Sequence, residues 1–229
     1  MIEKRLGETL RNNELRRKLI SHTFFDKMPK ADLSRGKVAT FLGQWWHPLH
    51  YFPSFLSRLI SISPRIEMKT AVSRILYQEL GEGDPARAHE VVYVRTMTPL
   101  GFSESELTGA APLPATAKLV AGYAEASADL LTGLGYLYGT EVADLAMVSG
   151  IGTAVRRLTG ARRLEWVEIH AEQEPEHVER ANDSISVGFS EAEEKAIIAG
   201  AEVMWRQWIA FFDELERRLF AAGAVAAAS

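Results

Sequence analysis

The sequence predicts an all-α protein, and three observations carry that prediction. Apolar residues recur at helical spacing in nearly every segment. No run shows the alternation of a half-buried strand; Val91-Val92-Tyr93-Val94 is the most β-like stretch, and its neighbours extend a helix instead. Helix start and stop residues also fall between the periodic segments. Of the 229 residues 47% are hydrophobic and 24% charged, enough apolar material for a sizeable core.

Taken in order, Leu10, Leu15, Leu19, Phe24 and Phe25 mark an N-terminal helical stretch from Leu6 to Lys27. A second helix starts near Ser34 and is expected to kink or break at Pro48 and Pro53. Ser63-Pro64 reads as the start of the next helix, whose stripe of Met68, Val72, Ile75, Leu76 and Leu80 ends at Gly81 and Gly83. Asp84-Pro85 restarts a helix that runs to Met97, and residues 98–113 read as a loop with one helical turn. From Pro114 the pattern is helical to Leu158 with a break at Gly133 to Gly135, followed by a helix over Ala161 to Ser184. Ser190 with Glu193 forms a capping box opening a last helix to Phe220. The expectation is one domain of seven or eight helices over residues 1–222, with a small-residue flexible tail at 223–229.

Several classes of function are excluded or disfavoured. A net charge of −4 offers no electrostatic footprint for nucleic acid or an anionic membrane. No apolar run is long enough to span a bilayer, and the N-terminus lacks the apolar core of a signal peptide. There is no cysteine, which removes disulfides, thiolate metal sites and cysteine nucleophiles and makes a reducing cytoplasm the expected compartment.

The chemistry-bearing segment is IHAEQEPEHVE, in which His170, Glu174 and His177 lie at i, i+4 and i+7 on one helical stripe. Two imidazoles flanking a carboxylate suit a metal ion; an ordinary solvated face is the competing reading, and Glu172, Glu176 and Glu179 fit it. Pro175, between two of these residues, is either a local distortion inside the helix or its boundary. In YQELGEGDPARAH, Glu79 ends one helix and His89 opens the next, with glycines that let the chain turn both into one pocket. Glu141 sits on the very apolar helix LGYLYGTEVADLAMV and needs a buried partner, an arginine or a metal; Asp144 is the competing carboxylate three residues on. Carboxylates with neutral imidazoles suit Fe(II) or Mn(II). A ferritin-like bundle fits poorly, because it uses two Glu-x-x-His motifs and only Glu174 to His177 forms one here.

The run EL-GEGDPARAH, a glutamate on a later helix, then H-x-x-x-E-x-x-H, resembles the haem-oxygenase-like di-iron oxidases and oxygenases, a fold shared with thiaminase-like and quinone-cofactor-forming proteins. FLGQWWHPLHYFPSFLSRLISISP resembles that family's second helix, and LGFSESEL with LGYLYGTE its middle portion, so the likeness spans residues 35 to 185. The resemblance implies a single haem-oxygenase-like bundle with metal ligands at Glu79, His89, Glu141, His170, Glu174 and His177, two irons per chain and O2 as co-substrate. It further implies N-oxygenation or oxidative cleavage of a small amine or amino acid in a biosynthetic pathway. Oxidative decarboxylation or desaturation of an aliphatic acid is the alternative on the same site; an external electron donor and a homodimer are compatible with it.

One departure is Glu174, where the family usually carries aspartate. Another is the second helix, where the family sometimes carries an extra carboxylate and this chain has His47 and His50. The aromatics Trp45, Trp46, Tyr51 and Phe52 suit either a pocket wall or plain core. Outside this family, a helical interaction module without metal and a zinc hydrolase on the same ligands are the competing readings.

Overall fold

In the computed structural model, which describes residues 3–186 and 188–220, the chain is a bundle of α-helices with no strand among the described residues. Three short helices open it: α1 (Glu3–Arg11), α2 (Glu14–Ile20) and α3 (Thr23–Lys27). Then follow α4 (Arg35–Ile62), α5 (Ile66–Glu79), α6 (His89–Met97), α7 (Glu104–Thr108), α8 (Pro114–Ala126), α9 (Leu130–Thr159), α10 (Glu165–Ser184) and α11 (Glu191–Phe220). Short 3-10 turns at Pro85–Arg87 and Thr98–Leu100 flank α6. Eight of these helices have nine or more residues, in line with the seven or eight expected. The expected tail at 223–229 lies outside the described residues.

The helix α9 is apolar on almost every face and therefore lies at the centre, against α11, α10, α4 and α8. Its glycines are not a break. A Cβ on Gly135 would stand 2.2 Å from the Ile197 carbonyl oxygen and 2.7 Å from the Ala201 nitrogen, and one on Gly200 would stand 2.7 Å from the Thr132 carbonyl oxygen. The two longest helices thus touch backbone to backbone. The break comes earlier, at residues 127–129, where Asp129 caps α9 by accepting from the Thr132 N–H at 2.8 Å. Gly135→Ala is expected to force α9 from α11 and destabilise the fold by about 1–3 kcal/mol, as overpacking does. Denaturant melts followed by circular dichroism check this, and an unchanged midpoint contradicts it.

Three other expectations are corrected. The N-terminal stretch is three helices, because Asn13 and His22 each turn a side chain onto the backbone two residues on, capping a new helix each time. The helix α4 runs through Pro48 and Pro53 without a break; each proline removes one backbone donor, but packing against α5, α7, α8 and α9 keeps the helix continuous. Ser63 does not cap α5; it closes α4, its hydroxyl donating to the Leu59 carbonyl at 2.7 Å, and α5 begins three residues later. The capping box at Ser190 forms as expected, with both the Ser190 N–H and hydroxyl 2.7 Å from Glu193 Oε2.

Candidate metal centre

Four helices deliver the polar residues to one point. Glu79 is the last residue of α5 and His89 the first of α6. Between them Gly81, Glu82 and Gly83 all take positive φ, reversing the chain. A Cβ on Gly81 would sit 2.2 Å from the Asp84 carbonyl oxygen and 2.5 Å from the Ala88 nitrogen, so this turn admits only glycine. The strained Glu82 is held by Tyr77, whose hydroxyl donates to its carbonyl at 2.7 Å, and by Arg87 on its carboxylate at 3.0 Å. Gly81→Ala is expected to separate Glu79 from His89; metal affinity is the measurement, and wild-type affinity contradicts the assignment of this turn.

Glu141 projects from the middle of α9, and His170, Glu174 and His177 from α10, which continues through Pro175 to Ser184. Pro175 is therefore inside the helix, on its exposed side. Burial along α10 alternates as the spacing predicts: His170, Glu174 and His177 are buried while Glu172 and Glu179 face solvent. All six side chains singled out by sequence are at most 5% exposed. His89 Nδ1 lies 3.0 Å from Glu79 Oε2, and His177 Nδ1 lies 3.4 Å from Glu141 Oε2 and 4.0 Å from Glu79 Oε1. The His89 and His170 rings are 4.6 Å apart. Ligand atoms of Glu141, Glu174 and His177 fall within 4.8 Å of one another.

Two histidines have their free nitrogen chosen for them. His170 Nδ1 donates to the Trp166 carbonyl oxygen at 2.8 Å, leaving Nε2 as the available ligand atom. His89 Nε2 is 2.8 Å from Gln173 Oε1, leaving Nδ1. Such outer partners orient metal-binding imidazoles. Gln173 was not singled out from the sequence, since a polar residue beside a ligand on a charged helix carries no signal of its own.

The electrostatics are those of a crowded acidic cluster closed off from water. Burial pushes Glu79 up, but His89, His177 and His170 outweigh it and hold the carboxyl at about 2. Burial lowers His89, and Glu79 more than reverses it. His170, buried and beside His89, falls to about 3. His177 rises to about 9 because Glu141 and Glu79 overcome its burial. Glu174 is raised well above the usual carboxylate range, by burial first and then by Asp144 and Glu141.

Whether a metal fits is decided by the atoms left without partners. Both oxygens of Glu174, Oε1 of Glu141, Oδ2 of Asp144 and Nε2 of His177 are buried and accept or donate no hydrogen bond. Buried polar atoms are nearly always satisfied, and so many unsatisfied ones converging on one place call for a cation. Oxygen and imidazole donors without thiolate suit iron or manganese. The residues present therefore fit a metal centre.

A narrow cavity of about 40 Å³ reaches the cluster past Trp45, Leu49, Phe52, Tyr123 and Trp208. Trp45 and Phe52 thus form pocket wall, whereas Trp46 stacks on His50 near the surface. His50 pairs with Glu90 and His47 lies 2.9 Å from the Ala110 carbonyl oxygen, so neither joins the cluster. On the other side of Glu141 and Glu174 opens a wider groove of about 630 Å³, with Ile20, Val142, Leu145, Ala146 and Val178 as apolar wall and Arg11 and Arg16 beside them.

Comparison with known proteins matches residues 39–208 of the chain to a family model described as iron-containing redox enzyme. The chain belongs to that family. The match covers all six side chains and the helices that carry them. Among curated proteins no sequence matches.

Solved structures show the fold of this iron-containing redox enzyme again. A CADD-like protein of unknown function from Nostoc punctiforme is 16% identical with a TM-score of 0.78, covering 94% of this chain and 96% of its own. A domain of unknown function with a heme oxygenase-like fold from Shewanella denitrificans is 17% identical, TM-score 0.72, covering 100% and 97%. A TenA homolog from Pseudomonas syringae pv. tomato is 14% identical, TM-score 0.74, covering 93% and 92%. The haem-oxygenase-like all-α architecture expected from the sequence is thereby shown. No helix of the described residues is long and apolar enough to cross a membrane.

Proposed function

We propose that this iron-containing redox enzyme is a non-haem di-iron, O2-dependent oxygenase or oxidase of a small amine or amino acid, acting by N-oxygenation or oxidative cleavage. The observation that carries the reading is the convergence of six buried carboxylate and imidazole side chains from α5, α6, α9 and α10, with partnerless atoms on Glu141, Glu174 and His177 among them. Glu79, His89, Glu141, His170, Glu174 and His177 would hold the metal. Bound iron supplies the redox chemistry with O2. The chain's own part is to orient and to exclude. Trp166 and Gln173 fix the ring nitrogens of His170 and His89. The aromatic wall keeps the cavity small and largely apolar, which limits the water that competes with substrate.

The groove supports a carboxylate on the substrate. Arg16 donates through Nε and Nη2 to the Val142 carbonyl oxygen at 2.9 and 2.7 Å, and forms no ion pair among the described residues. Arg11 likewise forms no ion pair among the described residues, so two guanidinium groups border an apolar groove that ends at Glu141 and Glu174. An amino acid satisfies this charge and places its amine toward the acidic centre. The same groove favours, as a second reading, oxidation of an aliphatic acid.

The test is O2 consumption by the Fe(II)-loaded protein against amines, amino acids and aliphatic acids. Acceleration by amino acids or amines is the expected result. Acceleration by aliphatic acids alone transfers the assignment to the second reading, and activity that needs zinc but not O2 replaces it with a hydrolase.

A further inference from the structure

Asp144 lies one turn beyond Glu141 on α9 and was read from sequence only as Glu141's competitor for a single buried role. The structure gives both carboxylates a place. Asp144 lines the same narrow cavity as Glu79, Glu141, His170 and His177. Its Oδ2 is buried and has no hydrogen-bond partner, and no arginine, lysine or histidine forms an ion pair with it among the described residues. Its neighbour across the helix interface is Glu174, also without a donor. Two ionised carboxylates accept hydrogen bonds only, so this contact is repulsive unless a proton or a cation lies between them.

Charge counting points the same way. Glu79, Glu141, Asp144 and Glu174 together carry four negative charges when ionised, and the three histidines are neutral as ligands. Two divalent cations carry four positive charges, so the sum is zero when Asp144 takes part. Without it, Asp144 keeps a buried oxygen with no compensating group, which is a costly state.

We propose that Asp144 is a seventh metal-binding side chain, the fourth carboxylate of the centre, shared with or facing the metal held by Glu174. This rests on the metal-centre reading above. It also bears on Glu174, the position where the resemblance led one to expect aspartate: the longer side chain reaches from α10 toward α9, and the carboxylate on α9 meets it there.

The experiment is a competition titration of the metal-free full-length chain with Co(II) and Fe(II), comparing wild type with Asp144→Asn and, as a surface control, Glu179→Gln. Thermal melts are recorded for each with and without metal. Wild type and control are expected to take two metals per chain. In Asp144→Asn one of the two is expected to bind at least about tenfold more weakly, the scale at which even outer partners act, and the visible spectrum of the Co(II) form is expected to change. The metal-free Asp144→Asn protein is expected to melt no lower than wild type, because asparagine carries no charge to bury and its amide can donate to the Glu174 carboxylate. Two metals bound by Asp144→Asn as tightly as by wild type overturn the proposal and leave the six-residue centre standing. A metal-free variant that melts well below wild type with metal affinity unchanged also overturns it, assigning Asp144 a purely structural contact with Glu174. Absence of stoichiometric binding by wild type overturns both this proposal and the metal-centre reading. Asp144→Ser repeats the comparison should the asparagine protein not fold.

Discussion

His170→Ala is expected to abolish O2-dependent turnover and to weaken iron binding by more than about a hundredfold, since loss of an outer partner alone already removes roughly 10–100-fold. His170 is the residue whose ligand atom is most fully prepared: its Nδ1 is committed to the Trp166 carbonyl, its ring packs 4.4 Å from the Trp166 ring, and its low basicity keeps the other nitrogen unprotonated at neutral pH. Alanine removes that atom without adding strain to α10. Glu141→Ala is expected to have the same outcome by another route, because it also strips His177 of its nearest carboxylate. Circular dichroism separates loss of the centre from loss of the fold. Retained turnover in either variant contradicts the assignment.

Metal is expected to stabilise the protein strongly. In the metal-free state the centre holds buried oxygens and a ring nitrogen with no partners, and every such atom opposes folding. A site that forms only in the native chain, filled at about 1,000 times its Kd, adds roughly 4 kcal/mol. For a chain of this size that corresponds to a rise of roughly 8–16 °C in Tm for one filled site. Chelator-treated and Fe(II)- or Mn(II)-loaded samples compared by anaerobic calorimetry give the answer. Equal melting temperatures contradict a native metal centre.

Much of the site was legible in the sequence because helical geometry is local. The i, i+4, i+7 spacing of His170, Glu174 and His177 fixes one face of α10 whatever packs against it, and the structure buries that face. The turn at Gly81 to Gly83 is equally local, and it does bring Glu79 to His89. Less legible was whatever depends on a neighbour. Gly133 and Gly135 looked like a break because glycine is a poor helix former in isolation; the reason for Gly135 is the α11 backbone 2.2 Å from where a Cβ would stand, and for Gly133 the Leu59 side chain at 2.8 Å and the Ala126 carbonyl at 3.0 Å. Pro48 and Pro53 looked like breaks, yet tertiary packing kept α4 whole. Asp144 and Glu141 looked like alternatives because one buried role was in view, and only the position of Glu174 on another helix shows that both face the same space.

The central claim is an iron centre that reacts with O2, and the most direct measurement combines metal content with O2 uptake. Metal-free protein is loaded anaerobically with Fe(II), freed of excess metal, assayed for iron, and mixed with O2 while absorbance and O2 concentration are followed. The account predicts two irons per chain, O2 consumption and conversion to a ferric chromophore, faster in the presence of substrate. Failure to hold stoichiometric iron contradicts it and makes a helical interaction module the better description of this fold.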